Sequence, residues 1–218
     1  HGGEDHSDGI VYRYDEIDIE RVSGLSSHMA LDNETGYLYI CDTGNQRIIK
    51  MNTNTGTINY SLTPYGENIE GYYSMIGAQY ETIIDSGLVL PTGIDIYESY
   101  LIVSDYSNGD IIFYDLDNLG INQELKRLHT DRENDVMSIK VGPDGTIWYV
   151  GTNSNALIQI IPPVDGDLNG DNNLTLADLI LISSHIVGSN LLDPESEIIA
   201  DINSDNQIDI YDLLHVID

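Results

Sequence analysis

The chain has 218 residues, with 37 Asp and Glu against 8 Lys and Arg, and its formal net charge at pH 7 is −29. A chain this acidic repels phosphate, so we expect no nucleic-acid partner and no binding to anionic membranes. No apolar run approaches the roughly 18 residues that cross a bilayer, and the single cysteine allows no internal disulfide. This composition fits a secreted, extracellular protein.

Residues 1–162 are predicted to form short β-strands separated by turns. Apolar or alternating runs such as 37–40, 100–103 and 146–150 are bounded by Gly, Asn and Asp, which is the pattern of half-buried strands. We therefore expect a mainly β fold in two domains, with the β region at 1–162 and a small α-helical module at 163–218.

The β region also repeats itself. The stretch 42–52 recurs as 105–115, and shorter copies begin at residues 5 and 152, so the copies start roughly 37 to 63 residues apart. Each full copy has one strand before a turn, a second strand, a polar loop and a third strand. A repeat of this length and content predicts the blades of a β-propeller.

One of these blades resembles a known family. Residues 28–51 resemble an NHL repeat, the blade of a family of six-bladed propellers that includes the peptidyl-amidating lyases. In those lyases a histidine at the position of His28 binds zinc, but the matching positions here are Thr92 and Met137. We therefore expect His28 to be structural or solvated, and Cys41 to be a small buried side chain.

The number of blades is too small for a closed ring. We count about three and a half blades, whereas propellers close with about four to eight. The first copy lacks its inner strands and retains a third strand at 10–14 and a fourth at 17–22, while 66–89 is an insertion between blades. Either the chain is a fragment of a longer propeller or several chains assemble into an oligomer, and another polypeptide should then supply strands beside residues 10–14.

Two calcium loops follow the β region. Oxygen-bearing side chains recur with the spacing 1, 3, 5, 7, 9 and 12 that wraps one Ca²⁺ ion. We predict two calcium ions, one in each loop. The first loop would use Asp167, Asn169, Asp171, Asn173 and Asp178, and the second Asp201, Asn203, Asp205, Gln207, Asp209 and Asp212.

Each loop is predicted to be followed by a helix, but residues 161–166, with two prolines, cannot form a helix before the first loop. This EF-hand-like arrangement resembles a type I dockerin over residues 163–218. The resemblance implies a duplicated calcium module that docks onto cohesin domains, chiefly through loop positions 10 and 11. These positions hold Leu176 and Ala177 in the first copy and Ile210 and Tyr211 in the second, and we expect so apolar a surface to be buried against a propeller.

Three functions are compatible with these patterns. The first is a secreted, calcium-stabilised binding or scaffold protein, whose dockerin-like module binds a cohesin-like protein or another propeller chain. The second is a propeller enzyme, a lyase or a lactonase-like hydrolase, and the third is a structural subunit of an extracellular filament or matrix. Because no catalytic set converges, we favour a protein that is not an enzyme.

Overall fold

The computed structural model describes residues 9–63, 70–116, 124–160, 165–170, 173–203 and 205–217. The chain divides into two compact units, His1–Ile160 and Ile161–Asp218. The strands of the first unit are β1 (Ile10–Tyr14), β2 (Met29–Asp32), β3 (Tyr37–Asp42), β4 (Arg47–Asn52), β5 (Thr57–Ser61), β6 (Gly71–Ile76), β7 (Tyr80–Ile84), β8 (Pro91–Tyr97), β9 (Tyr100–Asp105), β10 (Asp110–Asp115), β11 (Glu124–His129), β12 (Val136–Val141), β13 (Ile147–Gly151) and β14 (Ala156–Ile160). The helices of the second unit are α1 (Leu176–Ile186), α2 (Pro194–Ala200) and α3 (Ile210–Ile217).

Three of the four sheets in the described residues are antiparallel and follow chain order, apart from one excursion. We call β2-β3-β4-β7 blade 1, β8-β9-β10-β11 blade 2 and β12-β13-β14 blade 3. The first strands of neighbouring blades contact each other, β2 with β8 and β8 with β12. This confirms a mainly β unit whose blades lie side by side, and within the described residues the sheets do not close.

The blades pack face to face. Successive residues of a strand point to opposite sides of the sheet, so one strand can supply side chains to two neighbouring blades. In blade 2, Leu101 and Val103 join a core cluster with blade 1, and Ile102 joins a separate cluster with blade 3. Both faces of blade 2 are therefore buried, which accounts for its continuous apolar strands.

Each blade contains a buried carboxylate that fastens two loops together. Asp105 is fully buried and accepts hydrogen bonds from the backbone amides of Val89 (2.6 Å), Leu90 (3.1 Å) and Ser107 (3.1 Å). Asp42 occupies the same place in blade 1, where it accepts the amide of Glu20 at 2.8 Å. These aspartates begin the repeated sequence, and the structure explains why that position is acidic.

In blade 3 the equivalent buried carboxylate comes from a different position in the sequence. Gly151 pairs with Ala156 as Asp42 pairs with Arg47, so Gly151 holds the aspartate position, and the alignment of this copy that began at residue 152 is wrong by one residue. Asp135 replaces the missing carboxylate by accepting the amides of Asn153 (2.6 Å) and Ser154 (2.9 Å).

The fourth strand expected at 17–22 is wrong. Those residues form no strand. Their backbone makes hydrogen bonds with side chains and an amide of blade 1, and not with a neighbouring strand. The carbonyl of Asp18 accepts from Asn45 and Arg47, and the amide of Gly44 donates to the carbonyl of Glu20 at 2.8 Å. Ile17 is buried among apolar side chains of blade 1.

The insertion expected at 66–89 also forms strands over its described part, 70–89. β7 completes blade 1 beside β4, and β6 pairs in parallel with β1 and antiparallel with β5. We call β1-β6-β5 the small sheet. Its formation corrects the expectation that a second polypeptide pairs with Ile10–Tyr14, because β6 of the same chain does so on one edge. The start of the first repeat, residues 5–8, lies outside the described residues.

The second unit confirms that a helix follows each loop. Thr175 is the N-cap of α1, where its hydroxyl accepts the amide of Ala177 and the Asp178 carboxylate accepts the amide of Thr175, which completes a capping box. The helices α1 and α3 contact each other, and Ile182 and Ala200 are fully buried in this unit. No helix in the described part of the chain is long and apolar enough to cross a membrane.

Candidate metal centre

The two calcium loops close by the same hydrogen bonds. In the first, the Asp178 carboxylate at position 12 accepts the amides of Asn169 (3.1 Å) and Thr175 (2.9 Å), at positions 3 and 9. In the second, the Asp212 carboxylate accepts the amides of Asn203 (3.3 Å) and Asp209 (2.8 Å), again at positions 3 and 9. The sequence repeat is therefore also a repeat of backbone geometry.

The carboxylates at position 1 curl the start of each loop. Asp167 accepts the amide of Gly170 at 2.8 Å, and Asp201 accepts the amides of Asp205 (3.0 Å) and Asn206 (2.8 Å). Asn206 stands at position 6 with φ +63°, where calcium loops of this type need a sharp turn. The predicted ligand Asp171 lies outside the described residues.

Other predicted ligands lie along the same loops. Asn203 donates from its side chain to Asp205 at 3.2 Å, and Asp205 accepts the amide of Gln207 at 2.9 Å. Asp209 accepts the amide of Tyr211 at 2.7 Å. Among the described residues no three His, Cys, Asp or Glu side chains already converge as a metal-binding group, so the ligand assignment stays a prediction.

The charge of these loops fits a bound cation. Asp178 and Asp212 are fully buried, yet residues 165–218 contain no Lys or Arg to pair with them. Burial raises the pKa of Asp178, but hydrogen bonds from Thr175 and Asn169 outweigh it and lower that pKa overall. The buried carboxylate is therefore charged, and an ion with oxygen ligands would offset that charge.

The docking positions of both copies are exposed. The exposed fractions are 70% for Leu176, 62% for Ile210 and 61% for Tyr211, and Ala177 is exposed as well. The burial of this surface against a propeller stays a prediction. One helical turn further on, Ile180 and Leu214 are also exposed, at 55% and 51%, so the apolar surface is larger than the predicted positions.

The blade array contains no counterpart of a zinc site around His28 within the described residues. The His28 backbone amide donates to the Thr92 carbonyl at 3.1 Å, and the Thr92 hydroxyl donates to the Val136 carbonyl at 3.1 Å. These contacts join the first strands of the three blades. Burial and the nearby charge of Lys140 lower the pKa of His28, so it is a neutral imidazole at physiological pH.

A polar groove of about 540 Å³ lies between the loop before β12 and the turn after β13. His129, Arg132, Glu133 and Ser154 are among the residues that line it. His129 contacts the buried Asp110 at 2.8 Å, and this hydrogen bond raises the pKa of His129. Sequence reasoning did not single out these residues, because they come from different repeats.

Residues 165–218 match the model of the Dockerin type I domain. This confirms the resemblance predicted from the loop spacing and the following helices, and it covers about a quarter of the chain. Dockerin domains bind calcium and bind cohesin partners. No curated protein matches this chain.

Several solved structures resemble part of this chain weakly. A luciferin-regenerating enzyme is 15% identical with a TM-score of 0.40, over 58% of this chain and 37% of that one. Regucalcin from Agrobacterium tumefaciens, a calcium-binding protein, is 15% identical with a TM-score of 0.38, over 57% and 37%. Hydrazine synthase of Kuenenia stuttgartiensis is 13% identical with a TM-score of 0.36, over 61% and 36%. The chain thus spans little more than a third of their length, and we draw no functional argument from them.

Proposed function

We propose that this is an extracellular protein whose calcium-loaded C-terminal module docks onto a partner protein, while the blade array serves as a binding or scaffold unit. The observation that carries the proposal is the duplicated loop closure, in which Asp178 and Asp212 make the same contacts, together with the dockerin match over residues 165–218. The partner is a cohesin-like domain.

Calcium would act here by permitting the module to fold. The second unit carries many carboxylates and no Lys or Arg, so without a cation its loops hold repelling charges with little to offset them. Two ions, one in each loop, would neutralise the charges and fix the loop ends against α1 and α3. The helices would then present the exposed apolar positions in a defined geometry.

The exposed apolar positions would form the docking surface. Leu176 and Ile180 lie one helical turn apart on α1, and Ile210 and Leu214 repeat this spacing on α3. An interface of this kind gains its affinity from burying apolar area, whereas a partner that reads hydroxyl groups at these positions would leave its own polar groups unpaired. We therefore expect binding to cohesin domains with an apolar docking face.

Titration calorimetry of the full chain tests this proposal in two steps. The first titration should give two calcium ions per chain, and the variant Asp178→Ala should lose one of them, while the exposed control Glu197→Gln should lose none. The second titration adds cohesin domains with apolar or polar docking faces. Binding that requires calcium and weakens in Tyr211→Ser would support docking, and a chain that binds no calcium would overturn the proposal.

A structural subunit of an extracellular assembly is the second candidate function. It is favoured by one observation, the exposure of apolar side chains on the outer face of blade 3, where Leu157 is 68% exposed. Both functions are compatible in one chain, because the two surfaces belong to different units.

A further inference from the structure

The two calcium loops close alike but differ in charge. We call residues 167–178 loop 1 and residues 201–212 loop 2. Loop 1 contains three carboxylates and loop 2 contains four, and the additional one is Asp209 at position 9, where loop 1 has Thr175. The affinity of a calcium loop depends on the number of its charged ligands and on its rigidity. The difference in charge therefore favours loop 2.

The carboxylate at position 12 of loop 1 is already fully hydrogen-bonded. Oδ1 of Asp178 accepts the amides of Leu168 at 3.0 Å and Asn169 at 3.1 Å. Oδ2 accepts the amide of Thr175 at 2.9 Å and its hydroxyl at 3.0 Å. Because a carboxylate has about four lone-pair sites, loop 1 itself fills all of them. A cation that binds Asp178 must displace some of these hydrogen bonds.

The equivalent carboxylate of loop 2 has fewer hydrogen bonds. Among the described residues, Asp212 accepts two, from the amide of Asn203 at 3.3 Å on one oxygen and from the amide of Asp209 at 2.8 Å on the other. About half of its lone-pair sites therefore receive no hydrogen bond from the described part of the chain. Loop 2 is held closed less firmly by its own groups, and its buried carboxylate can accept a cation without losing a hydrogen bond.

The side chain at position 9 shows the same contrast. Thr175 has a single side-chain oxygen, which accepts the amide of Ala177 at 3.2 Å and donates to Asp178 at 3.0 Å. Asp209 accepts the amide of Tyr211 at 2.7 Å with one oxygen. Its second oxygen makes no hydrogen bond within the described residues. Asp209 can therefore stabilise the start of α3 and bind a cation at the same time, whereas the hydroxyl of Thr175 is fully used.

We infer that loop 2 binds calcium before loop 1 and that Asp209 is the residue that sets this order. A preformed loop can gain affinity because less order has to be imposed when the ion binds. In loop 1 this advantage is offset by the hydrogen bonds to Asp178 that an ion would displace and by the absence of a fourth negative charge. Loop 1 thus closes largely through its own hydrogen bonds, and loop 2 is the half of the module that depends on the ion.

This order assigns a regulatory step to the proposed docking function, and it rests on that function. Ile210 and Tyr211, which are 62% and 61% exposed, stand at positions 10 and 11 of loop 2, between the two ligands Asp209 and Asp212. The first ion would therefore fix the α3 half of the docking surface. The calcium concentration that fills loop 2 would set the threshold at which the partner can bind.

Calorimetry and hydrogen exchange of the full chain, with calcium alone as the ligand, test the order of filling. Calorimetry should give two steps whose dissociation constants differ by about tenfold or more. Hydrogen exchange followed by mass spectrometry assigns each step to a loop. With one calcium ion per chain, the peptide 201–214 should already show its full protection, while 167–178 should gain its last protection only with the second ion.

Exchanging the side chains at position 9 gives the decisive result. Asp209→Thr gives loop 2 the side chain of loop 1 and should weaken the first step by about tenfold or more. Thr175→Asp gives loop 1 a fourth carboxylate and should strengthen the second step, because aspartate is also a good N-cap and α1 keeps its cap. Glu197→Gln, a control on the exposed side of α2, should change neither step.

Two equal steps in the wild-type chain, or full protection of loop 1 before loop 2, would overturn the inference and leave calcium-dependent docking intact. An unchanged first step in Asp209→Thr would overturn it as well. A chain that binds no calcium overturns the proposed function too, so the two failures are distinguishable. Circular dichroism in excess calcium shows whether each variant is folded. If Asp209→Thr is not, Asp209→Asn, which removes the charge and keeps the shape, replaces it.

Discussion

Replacing Asp105 with alanine should destabilise the blade array strongly. The carboxylate is fully buried and accepts three backbone amides, those of Val89, Leu90 and Ser107, at 2.6 to 3.1 Å. Each hydrogen bond to a charged group contributes about 1.5–3 kcal/mol. The loop after β7 is partly open to water, however, so water can bind some of the amides that the variant leaves without the carboxylate. We therefore expect a loss of about 3 kcal/mol, a large share of the 5–15 kcal/mol of a typical domain.

Differential scanning calorimetry measures this loss. A destabilisation of about 3 kcal/mol lowers the melting temperature of a unit of this size by about 6–12 °C. The matched control is Asp144→Ala, because Asp144 also accepts a backbone amide, that of Thr146, but from an exposed turn. The control should melt within error of the wild type. If Asp105→Ala melts within about 2 °C of the wild type, these three hydrogen bonds do not stabilise the array.

Three further predictions concern buried or paired groups of the same unit. Asp135→Ala should lower the melting temperature. Adding Gly151→Asp should recover part of that loss, because it returns a carboxylate to the position that it has in the other blades. Equal melting temperatures of the single and double variants would contradict this. The raised pKa of His129, caused first by its hydrogen bond to Asp110, should stabilise the fold below about pH 6.5. That contribution should disappear as the pH rises through the folded-state pKa of His129, and in denaturant titrations His129→Gln should lack this slope; an unchanged slope would refute the assignment. Burial raises the pKa of the Cys41 thiol, so a thiol reagent should modify it only as the protein unfolds, and rapid labelling of the folded chain would show that the site is open.

The regular parts of this fold follow from local sequence patterns. Strands such as β9 and β10 are predictable because their apolar runs are bounded by turn residues and recur in the same order as β3 and β4. The calcium loops are predictable because a fixed spacing of oxygen ligands is a strong constraint, and the helix after each loop follows from its apolar period. These predictions depend on residues close together in the chain.

The wrong predictions concern contacts between distant residues. The strand expected at 17–22 fails because the side chains of Asn45 and Arg47 bind the carbonyl of Asp18, which no pattern within 17–22 reveals. The pairing of β1 with β6 is parallel and joins residues about sixty positions apart. Gly151 could have been found in advance, since a glycine at an aspartate position implies that another carboxylate, here Asp135, must reach the same amides.

Exposure is the property that sequence cannot supply, and both the docking surface and the outer face of blade 3 depend on it. The strand registers place Leu157 where blades 1 and 2 have the buried Ile48 and Ile111, so the repeat predicts a core residue at all three places, and only the presence of a following blade decides which of them is buried. Leu176 and Ile210 present the same ambiguity on the helices. An apolar side chain that is exposed where its internal equivalents are buried marks a surface that lacks a neighbour, because a single chain gains no stability from leaving it in water. The repeats of this protein therefore serve as internal references for each other, and the difference between Leu157 and its equivalents indicates a partner more strongly than its exposure alone.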